Sequence, residues 1–390
     1  MKNKETQKMM LIVIGNLFLV FVGIGLVIPV MPTFKSEMHL SGQTMGYLTA
    51  AYAMSQLICS PVAGRLSDLF GRKRMIVIGM IIFSLSEFLF GMGTTVPALY
   101  VSRVLGGLSA ALIFPSVMAF VADITTLEER PKAMGWVSGA ISGGFIIGPG
   151  IGGFLGDISM RLPFYVAGIL GLVGFLFALV MLKEPKRIET VTEDGPKASL
   201  KEVILTPALT FPFFIILINA FGLAAFESIY SIYVDINYGF SVRDIAVVIT
   251  VSGVLALIVQ IVFFDAIVRK IGEIGLIRLC LAVSAVFVLA IVFAKGYWGV
   301  LISTFVIFLA FDLIRPAITT FLSKHAGENQ GSVSGINSAL TSVGNIVGPI
   351  LSGTLLDVNS HYPYYVVVVI LTITFMLTMI WNTKTKVKMS

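Results

Sequence analysis

Charge is scarce in this chain of 390 residues: 12% are Asp, Glu, Lys or Arg, against about a quarter in a soluble domain. Hydrophobic residues make up 57% and the mean hydropathy is +0.96, which excludes a soluble globular fold and predicts a membrane protein. Cysteine is nearly absent. Cys59 and Cys280 each fall inside an apolar run, so a disulfide framework and redox chemistry are set aside and both read as small packing residues. The three histidines, His39, His325 and His361, fall in loops, which removes the usual imidazole proton carrier from the membrane interior. No G-x-x-x-x-G-K-[ST] segment occurs, so the chain has no phosphate-cradling loop for direct use of ATP, and any pumping must draw on an ion gradient.

What is present is a series of apolar runs near the roughly 20 residues a spanning helix needs: 11–33, 44–65, 75–95, 97–121, 133–156, 163–182, 208–234, 245–264, 276–294, 297–321, 331–356 and 363–381. The first is too long for a signal peptide and lacks a small-residue cleavage site, so it is retained as a span. The net charge of +6 invites a nucleic-acid reading, but its distribution argues against one. Basic residues crowd one set of loops, including Arg65, Arg72, Lys73, Arg74, Arg130 and Lys183, whereas the other set holds Lys35, Arg161, Arg243 and Lys295. By the positive-inside rule both termini are cytoplasmic and the protein lies in the cell membrane as a multi-pass chain.

The polar stretch 183–207 separates six spans from six and reads as a cytoplasmic linker between bundles 1–182 and 208–390. The halves echo each other. Asn16 maps to Asn219, Asp68 to Asp265, Pro115 to Pro316 and Pro149 to Pro349, at offsets near 200.

Between the second and third spans lies GRLSDLFGRKR, Gly64 to Arg74, read as a short charged hinge. Asp68 and Arg72 are four apart and pair across one helical turn, while Gly64 and Gly71 are expected to let two helix ends approach and turn. The fifth span carries Gly144, Gly148, Gly152 and Gly156 at intervals of four, with Pro149 beside them, so one helix face lacks side chains and suits close packing. Gly148, Gly150 and Gly153 also satisfy G-x-G-x-x-G, but deep inside an apolar span they lack the strand and turn a dinucleotide site requires.

Three carboxylates lie well inside spans: Glu87, Glu227 and Asp312. Each is costly there unless protonated, paired or wetted, which makes it a functional candidate by default. Glu227 and Asp312 belong to the second half and suit proton binding and release, with Arg315 near Asp312 as either a modulator or a static ion-pair partner. Glu87 is placed to pair with Arg103 in a structural role. Aromatic residues mostly pack, but Phe226 and Tyr230 bracket Glu227, and Phe308 is one turn before Asp312. Together with Phe18, Phe21, Gln56, Phe145 and Asn345 they form the candidate substrate-binding set, since rings beside carboxylates suit flat organic cations.

GIGLVIPVMP, GRLSDLFGRKR, SRVLGG, GFIIGPGIGGFLG and FDLIRPAIT resemble the drug/proton antiporter branch of the major facilitator superfamily, and within it the NorA and Bmr type of multidrug exporter. The resemblance runs from about residue 11 to about residue 381. It implies an all-α fold of 12 transmembrane helices in two pseudo-symmetric bundles, and proton-driven export of amphipathic drugs, dyes and quaternary ammonium compounds, with fluoroquinolones as further candidates. By the same resemblance Arg103 joins Glu227, Asp312 and Arg315 in proton coupling, and Gly64, Asp68, Gly71, Arg72, Gly144, Gly148, Pro149 and Gly152 serve conformational change. No cofactor, metal or nucleic acid is expected, and the protein is expected to work as a monomer. Two alternatives stay open: an exporter of one endogenous metabolite, such as a sugar or polyamine, and an intramembrane enzyme using Glu227 and Asp312 as acid and base.

Overall fold

A computed structural model describes residues 4–126, 128–185, 203–204, 206–326 and 329–385. The described residues are helical throughout the apolar runs and contain no strand. Of the linker expected over 183–207, residues 186–202 and 205 lie outside the described set. In chain order the helices are α1 (Lys4–Leu26), α2 (Met31–Glu37), α3 (Gly42–Phe70), α4 (Arg72–Met92), α5 (Val96–Asp123), α6 (Arg130–Ile158), α7 (Leu162–Met181), α8 (Pro207–Tyr238), α9 (Val242–Val292), α10 (Gly296–His325), α11 (Gln330–Val358) and α12 (Tyr362–Thr385). A 3-10 turn, Ile28–Val30, joins α1 to α2, with Pro29 at its start.

One expected boundary is corrected by the backbone. The charged hinge is not a loop: α3 continues through Arg65 and Asp68 to Phe70, and the chain turns only at Gly71, where φ is 103°. Arg65 and Asp68 do not break a helix, whereas a residue in positive φ does, and glycine adopts that conformation at little steric cost. Gly64 sits mid-helix with nothing within 4 Å of where a Cβ would stand, so it makes no close approach. The eighth and ninth expected spans, 245–264 and 276–294, lie on either side of Gly272, where a φ of 73° breaks the 51 residues of α9 into two helical parts. His325, expected in a loop, is the last residue of α10 and donates from Nδ1 to the Phe321 carbonyl at 2.8 Å.

The chain forms two compact units, one of Met1–Leu40, Leu48–Val191 and Phe240–Thr250, the other of Ser41–Tyr47, Thr192–Gly239 and Val251–Ser390. In the first, α1 packs against α6 and α4 against α5 and α7. In the second, α8 packs against α11, α10 and α12.

The glycine face of α6 is the seam with α1. A Cβ at Gly148 would lie 2.7 Å from the Val22 carbonyl oxygen and 2.8 Å from the Gly25 Cα, and one at Gly152 would run into the Leu26 carbonyl oxygen. Backbone meets backbone here. The second unit repeats the device: a Cβ at Gly344 would stand 2.6 Å from the Phe221 nitrogen, and one at Gly348 2.8 Å from the Ala225 nitrogen. Within lipid no hydrophobic drive separates helix contacts from lipid contacts, so such close dispersion contact is what holds helices together.

Gly148→Leu is therefore expected to lower stability by about 3 kcal/mol or to prevent assembly, because the obstacle is backbone rather than a side chain that can swing away. Gly64→Ala, in open space within a helix, is expected to be neutral or to add about 1 kcal/mol. Thermal unfolding of the two detergent-purified variants checks the pair; equal shifts would remove the case for a close seam at Gly148.

Candidate functional site

The second unit holds both candidate proton carriers. Glu227 is exposed on α8, at the edge of the packing face that holds its fully buried neighbours Phe226 and Tyr230. Asp312 is half-buried on α10. The two carboxylates lie within electrostatic range of each other, and Arg315 bears on Asp312 from one turn away. Neither carboxylate has a direct ion pair or hydrogen bond to another described residue. Arg315 is exposed, and a static Asp312–Arg315 bridge does not form.

The rings beside these acids pack on one another. Phe226 lies 5.4 Å from Tyr230 and 5.7 Å from Phe308 between centroids, the latter edge-on, and Tyr230 lies 6.0 Å from Phe308. Phe226 and Tyr230 present no open face, whereas Phe308 is partly accessible and Asn345, on α11, is exposed. In the first unit Phe21 and Phe145 meet edge-on at 5.0 Å, while Phe18 and Gln56 are half-buried.

Arg103 is engaged elsewhere in the first unit. Its guanidinium is 3.3 Å from the Glu87 carboxylate and sits 4.2 Å above the Phe90 ring. Glu87 is 4% exposed, so the pair is taken out of water. That is the structural pairing expected for Glu87, and it holds the arginine to which the family resemblance gives a proton-coupling role.

At the Gly71 turn, Arg72 pairs with Asp68 at 2.6 Å and with Asp123 of α5 at 3.1 Å. Its Nη1 also donates to the Ser67 hydroxyl at 3.3 Å. Glu184, just past α7, accepts the backbone N–H groups of Arg72 and Lys73, placing negative charge at the dipole-positive start of α4. Sequence reading missed Asp123 and Glu184, which are far from the hinge in the chain and carry no local pattern. It also missed Asp357, whose carboxylate accepts the N–H groups of Gly42 at 2.6 Å and Gln43 at 2.8 Å at the start of α3. Asp157, paired with Arg243 at 2.6 Å, precedes Asp357 by the offset of the internal repeat, which was the available signal.

The family model described as the Major Facilitator Superfamily matches residues 13–340 and, in a second overlapping match, 213–389. The chain belongs to the major facilitator superfamily. It is 50% identical over 380 residues to "Multidrug resistance protein 1" of Bacillus subtilis (strain 168), covering 97% of each chain. Over 362 residues it is 41% identical to "Quinolone resistance protein NorA" of Staphylococcus aureus (strain Mu50 / ATCC 700699), covering 93% of each. A point mutant of the nucleoside transporter NupG matches with a TM-score of 0.81 at 13% identity, covering 96% of this chain and 99% of that one. A bacterial homolog of the human lysosomal transporter Spinster also gives 0.81, at 15% identity and 98% coverage of both. At these identities the likeness is one of fold, and membership of this family makes the chain a multi-span membrane protein.

The Glu87–Arg103 pair carries a direct expectation. Arg103→Met alone strands a buried carboxylate and is expected to cost about 3 kcal/mol, while the double variant Glu87→Leu/Arg103→Met recovers most of that loss. Thermal denaturation of the three purified proteins measures it, and a double variant no better than the single would mean that the two side chains are not a coupled pair.

Proposed function

We propose that this protein is a proton-coupled multidrug exporter of the cell membrane, with Glu227 and Asp312 as the groups that exchange protons. One observation carries the reading: two carboxylates on membrane-spanning helices, within electrostatic range of each other and without a direct ion pair among the described residues, in a chain 50% identical to a multidrug resistance protein. An unpaired carboxylate in a low-dielectric setting is costly when ionised, and a bound proton or a cationic drug each removes that cost. Drug and proton therefore compete for the same negative charge, which is the requirement for exchanging one against the other. Beside these acids the partly accessible Phe308 supplies flat apolar contact for amphipathic cations.

In this reading the halves 1–182 and 208–390, joined by 183–207, alternate access to a drug site. The protein acts as a monomer with both termini in the cytoplasm, as a transporter and not as an enzyme. Small-molecule drugs, including quinolones by analogy with the named relatives, are the substrates.

Glu227→Gln and Asp312→Asn keep side-chain volume but cannot cycle a proton. Each is expected to abolish efflux of ethidium driven by a pH gradient in proteoliposomes while leaving the folded protein in the bilayer. Wild-type driven rates in both variants would sink the carrier assignment.

Asp68 is 60% exposed in its pair with Arg72, so it contributes little static stability, and its role is assigned to conformational exchange. Asp68→Asn is expected to slow transport about tenfold with ethidium affinity unchanged, measured on one purified preparation. Loss of binding in step with transport, or loss of neither, would leave the hinge charges to membrane topology alone.

A further inference from the structure

Four phenols and an imidazole gather around α8 beyond Glu227, on the side of its C-terminal loop. Tyr230, Tyr233 and Tyr364 are 1%, 0% and 0% exposed. Phenylalanine would pack the same space without a hydroxyl to satisfy, so three buried phenols are an expensive choice unless the hydroxyls are used.

Their hydroxyls form a broken chain. Tyr230 shares a 2.9 Å hydrogen bond with Thr304 of α10, and Tyr233 shares one of 3.0 Å with Nδ1 of His361. The Tyr238 hydroxyl donates to the Ile291 carbonyl. Between these stands Tyr364, whose ring lies 4.3 Å from that of Tyr233 and 5.1 Å from that of Phe226. Its hydroxyl has no hydrogen-bond partner among the described residues, yet lies within electrostatic reach of Tyr230, Tyr233 and Tyr238. A buried hydroxyl facing other hydroxyls is the kind of place that holds an ordered water.

His361 closes the series at the start of α12. Its ring is half-buried, Nδ1 faces Tyr233, and its backbone N–H is fixed by Asn359 Oδ1 at 2.9 Å. The titratable groups around it are Tyr233 from α8 and Tyr365 from the first turn of α12, 5.8 Å and 6.4 Å away between rings. Nε2 remains as a second exchange point. Along α8, Tyr230 is three residues past Glu227 and Tyr233 three residues further, so each is the next one's neighbour on the helix surface, and about 9 Å of helix rise separates the first from the last.

We propose that Tyr230, Tyr364, Tyr233 and His361 form a proton path between Glu227 and the loop joining α11 to α12. The proton passes by concerted hand-over: each hydroxyl or water accepts one proton as it gives up another, so none is left charged. His361 takes a proton at one ring nitrogen as it releases one from the other. For every proton delivered to the Glu227 carboxylate one enters at His361, and the balance closes without any co-reactant. This rests on the reading of Glu227 as a proton carrier.

The test uses the full-length protein in proteoliposomes with ethidium as the probe. Tyr233→Phe, Tyr364→Phe and His361→Gln are compared with Glu227→Gln in three measurements: ethidium binding, ethidium–ethidium exchange without a gradient, and efflux driven by a pH gradient in H2O and D2O. The expected result is near-normal binding and exchange in the three path variants, a loss of driven efflux of about tenfold or more, and a larger solvent isotope effect than in wild type. Where His361→Gln does not fold, the two phenylalanine variants, which each remove one oxygen, carry the same expectation. Normal driven efflux in the path variants with loss in Glu227→Gln would reject the path and leave the carrier reading standing. Normal driven efflux in Glu227→Gln would remove the carrier reading itself. Binding and exchange lost in proportion to driven efflux would assign the cluster to packing and overturn the proposal.

Discussion

The close approach of helix backbones at two glycine seams sets the positions of everything else. In lipid, helix contact must win against lipid contact largely through dispersion and interhelical hydrogen bonds, and dispersion falls steeply with a gap of even half an ångström. Removing the side chains along one face of α6 lets its axis move in against α1 until atoms of Gly148 and Gly25 meet. The seam of α11 on α8 does the same through Gly344 and Gly348. Because α8 carries Glu227, its position and rotation are set by the backbone contacts that these glycines make with Phe221 and Ala225 two turns and less away. The carboxylate stays exposed at the edge of the helix's packing face.

Polar groups inside the bundle follow from a second constraint, that an unpaired buried charge or hydroxyl is costly. Most are consumed locally. Ser84 donates to the Gly168 carbonyl, Ser102 to that of Ser86 and Ser109 to that of Gly79, so serines stitch α4 to α5 and α7 without adding charge. Glu87 is consumed by Arg103. Among the described residues, the carboxylates of Glu227 and Asp312 make no such bond, and the Tyr364 hydroxyl is buried without a partner, as are a few smaller groups such as those of Ser252 and Ser284.

Much of this was legible in the amino-acid sequence, for identifiable reasons. Glycines at intervals of four fall on one helix face, so the seam of α6 could be read from spacing, although not its partner, because Val22 and Leu26 carry no mark of contact. The hinge after the second span is shorter than its charges suggest, because α3 carries Arg65 and Asp68 within it. A helix accepts charge and ends where φ changes sign, as at Gly71 and Gly272. His361 lies in the loop where the sequence puts it, but its partner cannot be read there. Its hydrogen bond reaches Tyr233 across 128 positions of sequence, and nothing in either neighbourhood signals a pair so distant.

The acids sort by depth, and the sorting bears on function. At the helix ends they complete backbones: Glu184 takes the first N–H groups of α4, Asp357 those of α3, and neither helix has a side-chain cap of its own at those donors. There a carboxylate is stabilised by both the hydrogen bonds and the local dipole, and protonating it would lose both. Such groups are poor proton carriers, because their charged form is the satisfied one. Glu227 is in the opposite position. It has no backbone donors and no cation within ion-pair distance among the described residues, and a second carboxylate stands within electrostatic range. Its charged form is the unsatisfied one, so a proton or a cationic ligand stabilises it. Exchange between those two occupants follows from that imbalance, and it requires Glu227 to lie at mid-helix, where no helix terminus can neutralise it.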